Sequence, residues 1–248
     1  MRYRKLSNNK KVLCIHGWMH TTHIFDTLKS KLANDAKIEC FRIPGFDDNS
    51  YATLNDMIVC LRRHLKQHKY DVIIAHSLGC YLVLKCMNNV GDANIIFCNP
   101  LYKNLRFWIV LISPFIKSIE LLKGLYIRNC NSILIKLALF PTCINIKCID
   151  NRILRMLERP NINVAVRTMN DIIFENNDYI NCIYDKRITI VYGKYDFIVK
   201  TPKKLIKLFK KVDLKLLPCG HSSILEMENI IVNIARKMLK TKQYYNKV

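Results

Sequence analysis

Short runs of β-branched and aliphatic residues recur along this chain, separated by stretches in which apolar positions fall every three or four residues. The first pattern is that of strands buried on both faces, the second that of amphipathic helices packed against them. The runs predict strands at Val12–His16, Ile38–Phe41, Asp71–Ala75, Asn94–Cys98, Ile188–Tyr192 and Leu214–Leu217. The helical periodicity predicts helices over about 22–34, 53–68, 78–89, 201–211 and 223–240. Strands alternating with helices make an α/β fold, a mostly parallel central sheet with helices on both faces. Thr201-Pro202 reads as an N-cap with proline at the first helical position, and Ser223 through Glu226 has capping-box spacing.

The alternation breaks between residues 101 and 185. That stretch holds no clear strand and is mostly apolar, helix-like sequence punctuated by Pro114, Pro141 and Pro160. It reads as a helical cap inserted into a core made of residues 1–100 and 186–248, lying over the carboxyl edge of the sheet, where open α/β folds bind ligands. Phe107, Trp108, Ile109, Leu111, Phe115 and Leu122 would mostly pack its helices, with some lining a pocket. An apolar lid favours a lipophilic acyl group over a sugar or peptide.

Composition narrows the class. A chain of 248 residues, half of them hydrophobic, buries roughly 70–75% of its unfolded surface, so disulfides are not needed. The eleven cysteines form no CxxC pair and sit mostly in apolar runs, as reduced core thiols do. The N-terminus is basic but has no apolar signal region, and the apolar stretch Leu105–Ile116 is too short to span a bilayer. A cytoplasmic protein is expected. The net charge of +21 comes with a bias in which Lys, Asn and Ile make up about a third of the chain. The lysines are dispersed without an aromatic-interleaved motif, so no nucleic-acid partner is expected. The densest cluster, Lys203–Lys211, reads as an amphipathic helix with a solvated basic face, which leaves an acidic carrier protein or an anionic membrane surface as a candidate partner.

The candidate chemistry lies at Ala75-His76-Ser77-Leu78-Gly79. A buried strand stops at a serine flanked two residues away on each side by a small side chain, and a helical pattern resumes. A sharp strand-to-helix turn tolerates only small residues at those flanks, exposes the serine hydroxyl at the sheet edge, and aims the next backbone N–H at the same space. Four other turns follow strands: His16-Gly17-Trp18, Arg42-Ile43-Pro44-Gly45-Phe46, Tyr192-Gly193-Lys194-Tyr195-Asp196 and Gly220-His221-Ser222. Five of the seven glycines, Gly17, Gly45, Gly79, Gly193 and Gly220, stand in these five turns.

This set of motifs, in this order, resembles the α/β-hydrolase superfamily, and the resemblance covers nearly the whole chain. Ala75 replaces the usual first glycine of the serine turn. In the turn after the second strand, Arg42 stands where an acid is usual and Asp47 where a second glycine is. The short segment before Val12 implies a sheet trimmed of the family's first two strands. The resemblance implies Ser77 as nucleophile, His221 as its base and Asp196 as the acid that orients the base, in the family's order. The backbone N–H groups of Trp18 and Leu78 would form the oxyanion hole, and Trp18 and Met19 would contact substrate, with the Trp18 indole facing the acyl pocket. His76 is expected to be structural, because neighbours at a turn tip point apart. Asp185 and Asp178 are the rival acids. His16, His20 and His23 have spacings that could share a helix face, but nothing completes a zinc set, so neither metal nor cofactor is expected.

The function implied is a serine hydrolase acting on a small-molecule carboxylic ester by an acyl-enzyme route. The branch it resembles contains carboxylesterases, monoacylglycerol lipases and the methyl esterase of pimeloyl carrier protein. A carbon–carbon hydrolase or lyase could use the same three residues. A non-catalytic binding protein on the same fold is the alternative from another class.

Overall fold

The computed structural model describes residues 10–48, 50–102, 143–144, 161–174, 183–201 and 203–245. The strands are β1 (Lys11–Ile15), β2 (Lys37–Phe41), β3 (Val72–His76), β4 (Asn94–Cys98), β5 (Tyr184–Gly193) and β6 (Phe209–Leu217). The helices are α1 (Asp26–Leu32), α2 (Leu54–Gln67), α3 (Leu78–Lys85), α4 (Ile162–Phe174), α5 (Lys203–Ile206), α6 (Ser223–Glu226) and α7 (Glu228–Tyr245), with short 3-10 turns at Thr22–Phe25 and Met87–Asn89. The strands form one sheet in the order β2-β1-β3-β4-β5-β6, every neighbouring pair parallel. Parallel pairing aligns the carboxyl ends of all six along one edge.

Side chains alternate across the sheet, so each strand feeds two cores. Leu13, Ile15, Ile73, Ala75, Ile95 and Phe97 face the core shared with α2, α3, α4 and α5. Val12, Cys14, Val72, Ile74, Ile96 and Cys98 face the one shared with α1, α6 and α7. Both faces are covered, which is why these strands read as continuous apolar runs. The eight cysteines among the described residues are free, six of them buried.

The basic segment departs from its expected helix. α5 ends at Ile206, and β6 begins at Phe209. Leu205 and Phe209 are buried while Lys203, Lys204, Lys210 and Lys211 are exposed, a pattern that fits both periods. Lysines are typical of a strand that must keep other chains off its free edge. The expected capping box at Ser223 also differs: Ser222 is the residue before α6, and Glu226 Oε1 instead accepts from Gly220 N at 2.9 Å. A capping box does form on α2, where the Thr53 hydroxyl and the Asp56 carboxylate satisfy each other's backbone N–H.

Most of the expected cap, 101–185, lies outside the described residues, and with it Phe107, Trp108, Ile109, Leu111, Phe115 and Leu122. Its described part holds α4 and the start of β5. That strand opens four residues earlier than its apolar run, at Tyr184, which pairs with Phe209 on β6; the register shifts between Tyr184 and Arg187. No described helix is long and apolar enough to cross a membrane.

Candidate active site

Ser77 occupies the single residue between β3 and α3, with φ 49° and ψ −112°. That left-handed conformation costs a non-glycine residue of order 1–3 kcal/mol. It is held by neighbours: Ser77 N donates to Cys98 O at 3.0 Å, and Ser77 O accepts from Cys80 N at 3.0 Å. The turn packs tightly against β1. A Cβ on Gly79 would lie 2.5 Å from Ile15 O and 2.6 Å from His16 O, contacts no side chain can make, so only glycine fits there.

Three residues from distant parts of the chain meet at this turn. His221 Nε2 is 2.8 Å from Ser77 Oγ, and His221 Nδ1 is 2.9 Å from Asp196 Oδ2. All three side chains are buried or nearly so. A carboxylate only accepts, so Nδ1 carries the imidazole proton and Nε2 of the neutral ring is left to accept from the serine hydroxyl. Asp196 Oδ1 accepts from Ile198 N at 2.7 Å and Val199 N at 3.0 Å. Burial alone would raise the Asp196 carboxyl, but the charge and hydrogen bond of His221, with the Val199 N–H and Asn99, hold it below its ordinary range. Of the rival acids, Asp185 pairs with Lys210 at an exposed site, and Asp178 lies outside the described residues.

The turn after β1 lies against the serine. A Cβ on Gly17 would be 3.0 Å from Ser77 Cβ and 2.7 Å from His76 Nδ1. Trp18 and Met19 are half-buried on the core, and Met19 has φ 58°. The Trp18 indole N–H donates to Ala165 O on α4 at 2.9 Å, so the ring is tethered to α4 by its polar edge. Leu78 opens α3, and first-turn amides of a helix lack partners within it.

His76 is buried: its Nε2 donates to His221 O at 3.0 Å, and its ring packs on His20 and His221, with centroids 5.3 and 5.2 Å away. Burial, followed by the charge of His221, lowers its pKa to about 3. The three histidines considered as a metal set diverge. His16 Nε2 contacts Asp47 Oδ2 at 2.7 Å, His23 pairs with Asp26 at the surface, and His20 Nδ1 meets no hydrogen-bond partner among the described residues. Among the described residues no cluster of His, Cys, Asp or Glu is arranged to hold a metal.

Sequence reading missed three supports of this site. Asp47, in the position of an expected glycine, binds His16, Thr22 N at 2.8 Å and Ile43 N at 2.8 Å, joining the loops after β1 and β2. Glu226 holds the backbone just before His221. Asn99 follows β4 and donates to Asp196. Its only sequence signal is a polar residue between a buried strand and Pro100.

A profile described as the alpha/beta hydrolase family matches residues 12–141. Among curated proteins, none matches the sequence. Solved structures share the fold at low identity. An esterase from Thermogutta terrifontis is 16% identical, with a TM-score of 0.70 over 95% of this chain and 91% of its own. An enol-lactonase from Burkholderia xenovorans is 11% identical, with a TM-score of 0.66 over 94% and 92%. The epoxide hydrolase CorEH is 12% identical, with a TM-score of 0.71 over 95% and 93%.

Proposed function

The chain belongs to the alpha/beta hydrolase family, and on that premise we propose that it is a serine hydrolase cleaving a carboxylic ester, with Ser77, His221 and Asp196 as its catalytic residues. The observation that carries the reading is the unbroken relay from Ser77 Oγ to His221 Nε2 at 2.8 Å and from His221 Nδ1 to Asp196 at 2.9 Å. A serine hydroxyl is a weak nucleophile at neutral pH and needs such a base.

In this reading Ser77 Oγ attacks the ester carbonyl as its proton passes to His221 Nε2. Asp196 stabilises the imidazolium and keeps its Nδ1 proton in place. The carbonyl oxygen becomes an oxyanion held by the N–H groups of Leu78 and Trp18, each such donor lowering the barrier by about 3 kcal/mol. The imidazolium then gives its proton to the departing alcohol, leaving an acyl group on Ser77. Water, deprotonated by the same ring, attacks the acyl-enzyme and releases the acid.

An esterase and an enol-lactonase among the structural neighbours support ester chemistry. The epoxide hydrolase shows that the fold alone does not decide it, so the serine hydroxyl within reach of an imidazole carries the weight. Half-buried Trp18 and Met19, on the turn that lies against the serine, support a lipophilic acyl group. An acidic carrier or an anionic surface would suit the exposed lysines.

The test is hydrolysis of p-nitrophenyl esters of increasing acyl length. Turnover that disappears in Ser77→Ala supports the reading. A folded protein inert to every ester contradicts it and favours carbon–carbon cleavage or a binding role.

A further inference from the structure

Asn99 is the first residue after β4, the strand between that of the serine and that of the acid. It has φ 46°, a left-handed conformation that asparagine tolerates better than most residues, and its N–H donates to Val191 O on β5 at 2.8 Å. The side chain is fully buried. Its Nδ2 lies 2.7 Å from Asp196 Oδ2 and 3.2 Å from Gly220 O. Both partners only accept, so chemistry fixes the amide with its NH₂ toward them. Its Oδ1 meets no hydrogen-bond partner among the described residues.

Asp196 Oδ2 therefore divides its lone pairs between the His221 N–H and the Asn99 amide, and the Asn99 bond is the shorter of the two. Hydrogen bonds to an ionised carboxylate are strong and stabilise its charge. Each donor on that oxygen also draws off electron density the other could use. The second Asn99 contact fixes the carbonyl of Gly220, the residue before His221. One amide thus grips both the acid and the loop that carries the base.

We propose that Asn99 is a positioning residue that sets how strongly Asp196 acts on His221. This rests on the catalytic reading of those two residues. Among the described residues, the titratable groups around them include His76, whose Nε2 donates to His221 O, His20 stacked behind it, Cys219 close to Asp196, and Glu226 on Gly220 N. Asp196 Oδ2 itself takes hydrogen bonds from Asn99 and His221.

The test is Asn99→Gly, which keeps the backbone conformation accessible and deletes the donor. Two readouts move only if Asn99 acts through the pair. The low-field proton NMR signal of the His221–Asp196 hydrogen bond shifts further downfield. The acidic limb of the kcat/KM profile on an ester moves upward by about half a pH unit or more, because a carboxylate relieved of a donor holds the imidazolium more tightly. Loss of thermal stability with both readouts unmoved overturns the proposal and leaves Asn99 a structural residue. If Asn99→Gly does not fold, Asn99→Ala removes the same donor and is judged by the same signals. The NMR readout needs no substrate, so a parent protein without esterase activity counts against the esterase reading alone. An unmoved low-field signal in a folded variant counts against Asn99.

Discussion

His221 Nε2 lies 2.8 Å from Ser77 Oγ, although 144 positions separate the two residues in the chain. β4 and β5 stand between the strands that lead into them. The contact exists because parallel pairing brings every strand's carboxyl end to one edge, where the turns after β3, β5 and β6 converge. Ser77 holds the strained backbone as well as the proposed nucleophile, and substitution separates the two.

Ser77→Ala removes the hydroxyl and keeps the strained φ of 49°. Turnover should fall on the order of 10⁴–10⁶-fold, with a thermal midpoint close to the parent's. Ser77→Gly should be equally inactive yet more stable by about 1 kcal/mol, because glycine relieves the strain. Chemical denaturation of the three proteins checks the ordering, and a Ser77→Gly protein less stable than Ser77→Ala contradicts it.

The two histidines at the site should respond differently. His221→Ala should abolish turnover. His76→Ala leaves a cavity and strips the His221 carbonyl of its donor, costing about 2–4 kcal/mol of stability. Its remaining folded fraction should still hydrolyse substrate. Turnover lost in a stable His76→Ala protein and kept in His221→Ala would reverse the assignment of the base.

Gly193 and Gly91 make a matched pair. A Cβ on Gly193 would lie 2.1 Å from Gly220 O and 2.5 Å from Cys219 O, whereas one on Gly91 meets nothing within 4 Å. Gly193→Ala should prise the acid loop from the histidine loop, costing about 3 kcal/mol or more together with activity. Gly91→Ala carries only the backbone strain of its φ of +56°, about 1 kcal/mol, and should leave kcat unchanged.

Buried histidines give the fold a predictable pH response. An unfolded His76 takes its proton near 6.5, but burial, then the charge of His221, holds the folded ring at about 3. Between those values the unfolded chain binds more protons, so stability falls as pH drops. The slope from His76 approaches about 1.4 kcal/mol per pH unit. His20, lowered well below its ordinary value by burial and then by His76, acts with the same sign. Asp196 and Asp47, both held below their ordinary 3.8, lose their contribution only under that value. Denaturant unfolding at pH 7, 6 and 5 should show the decline, and His76→Gln, whose amide can still reach the His221 carbonyl, should flatten it by about one proton. An unchanged slope in that variant would show that His76 does not stay neutral.

The sheet was legible because its central strands are apolar on both faces, as in Val72-Ile73-Ile74-Ala75. The serine turn was legible because steric crowding restricts residues 75 and 79 to small side chains. The start of β6 fits a helical period as well, because Leu205 and Phe209 meet a core under either period, and only pairing with β5 decides between them. Asn99 went unread for a related reason. Its partners, Asp196 and Gly220, lie 97 and 121 positions away, and nothing local to Cys98-Asn99-Pro100 indicates them. By pattern Asp47 is only a departure from a glycine position, whereas in the structure its carboxylate satisfies two backbone N–H groups and an imidazole.

In the proposed mechanism, Ser77 is activated by His221. Incubation with a fluorophosphonate probe, followed by mass spectrometric mapping of the modified peptide, tests it directly. A single adduct on Ser77, lost in His221→Ala, is the expected result. A folded protein that stays unmodified at Ser77, or is modified equally well without His221, would contradict it.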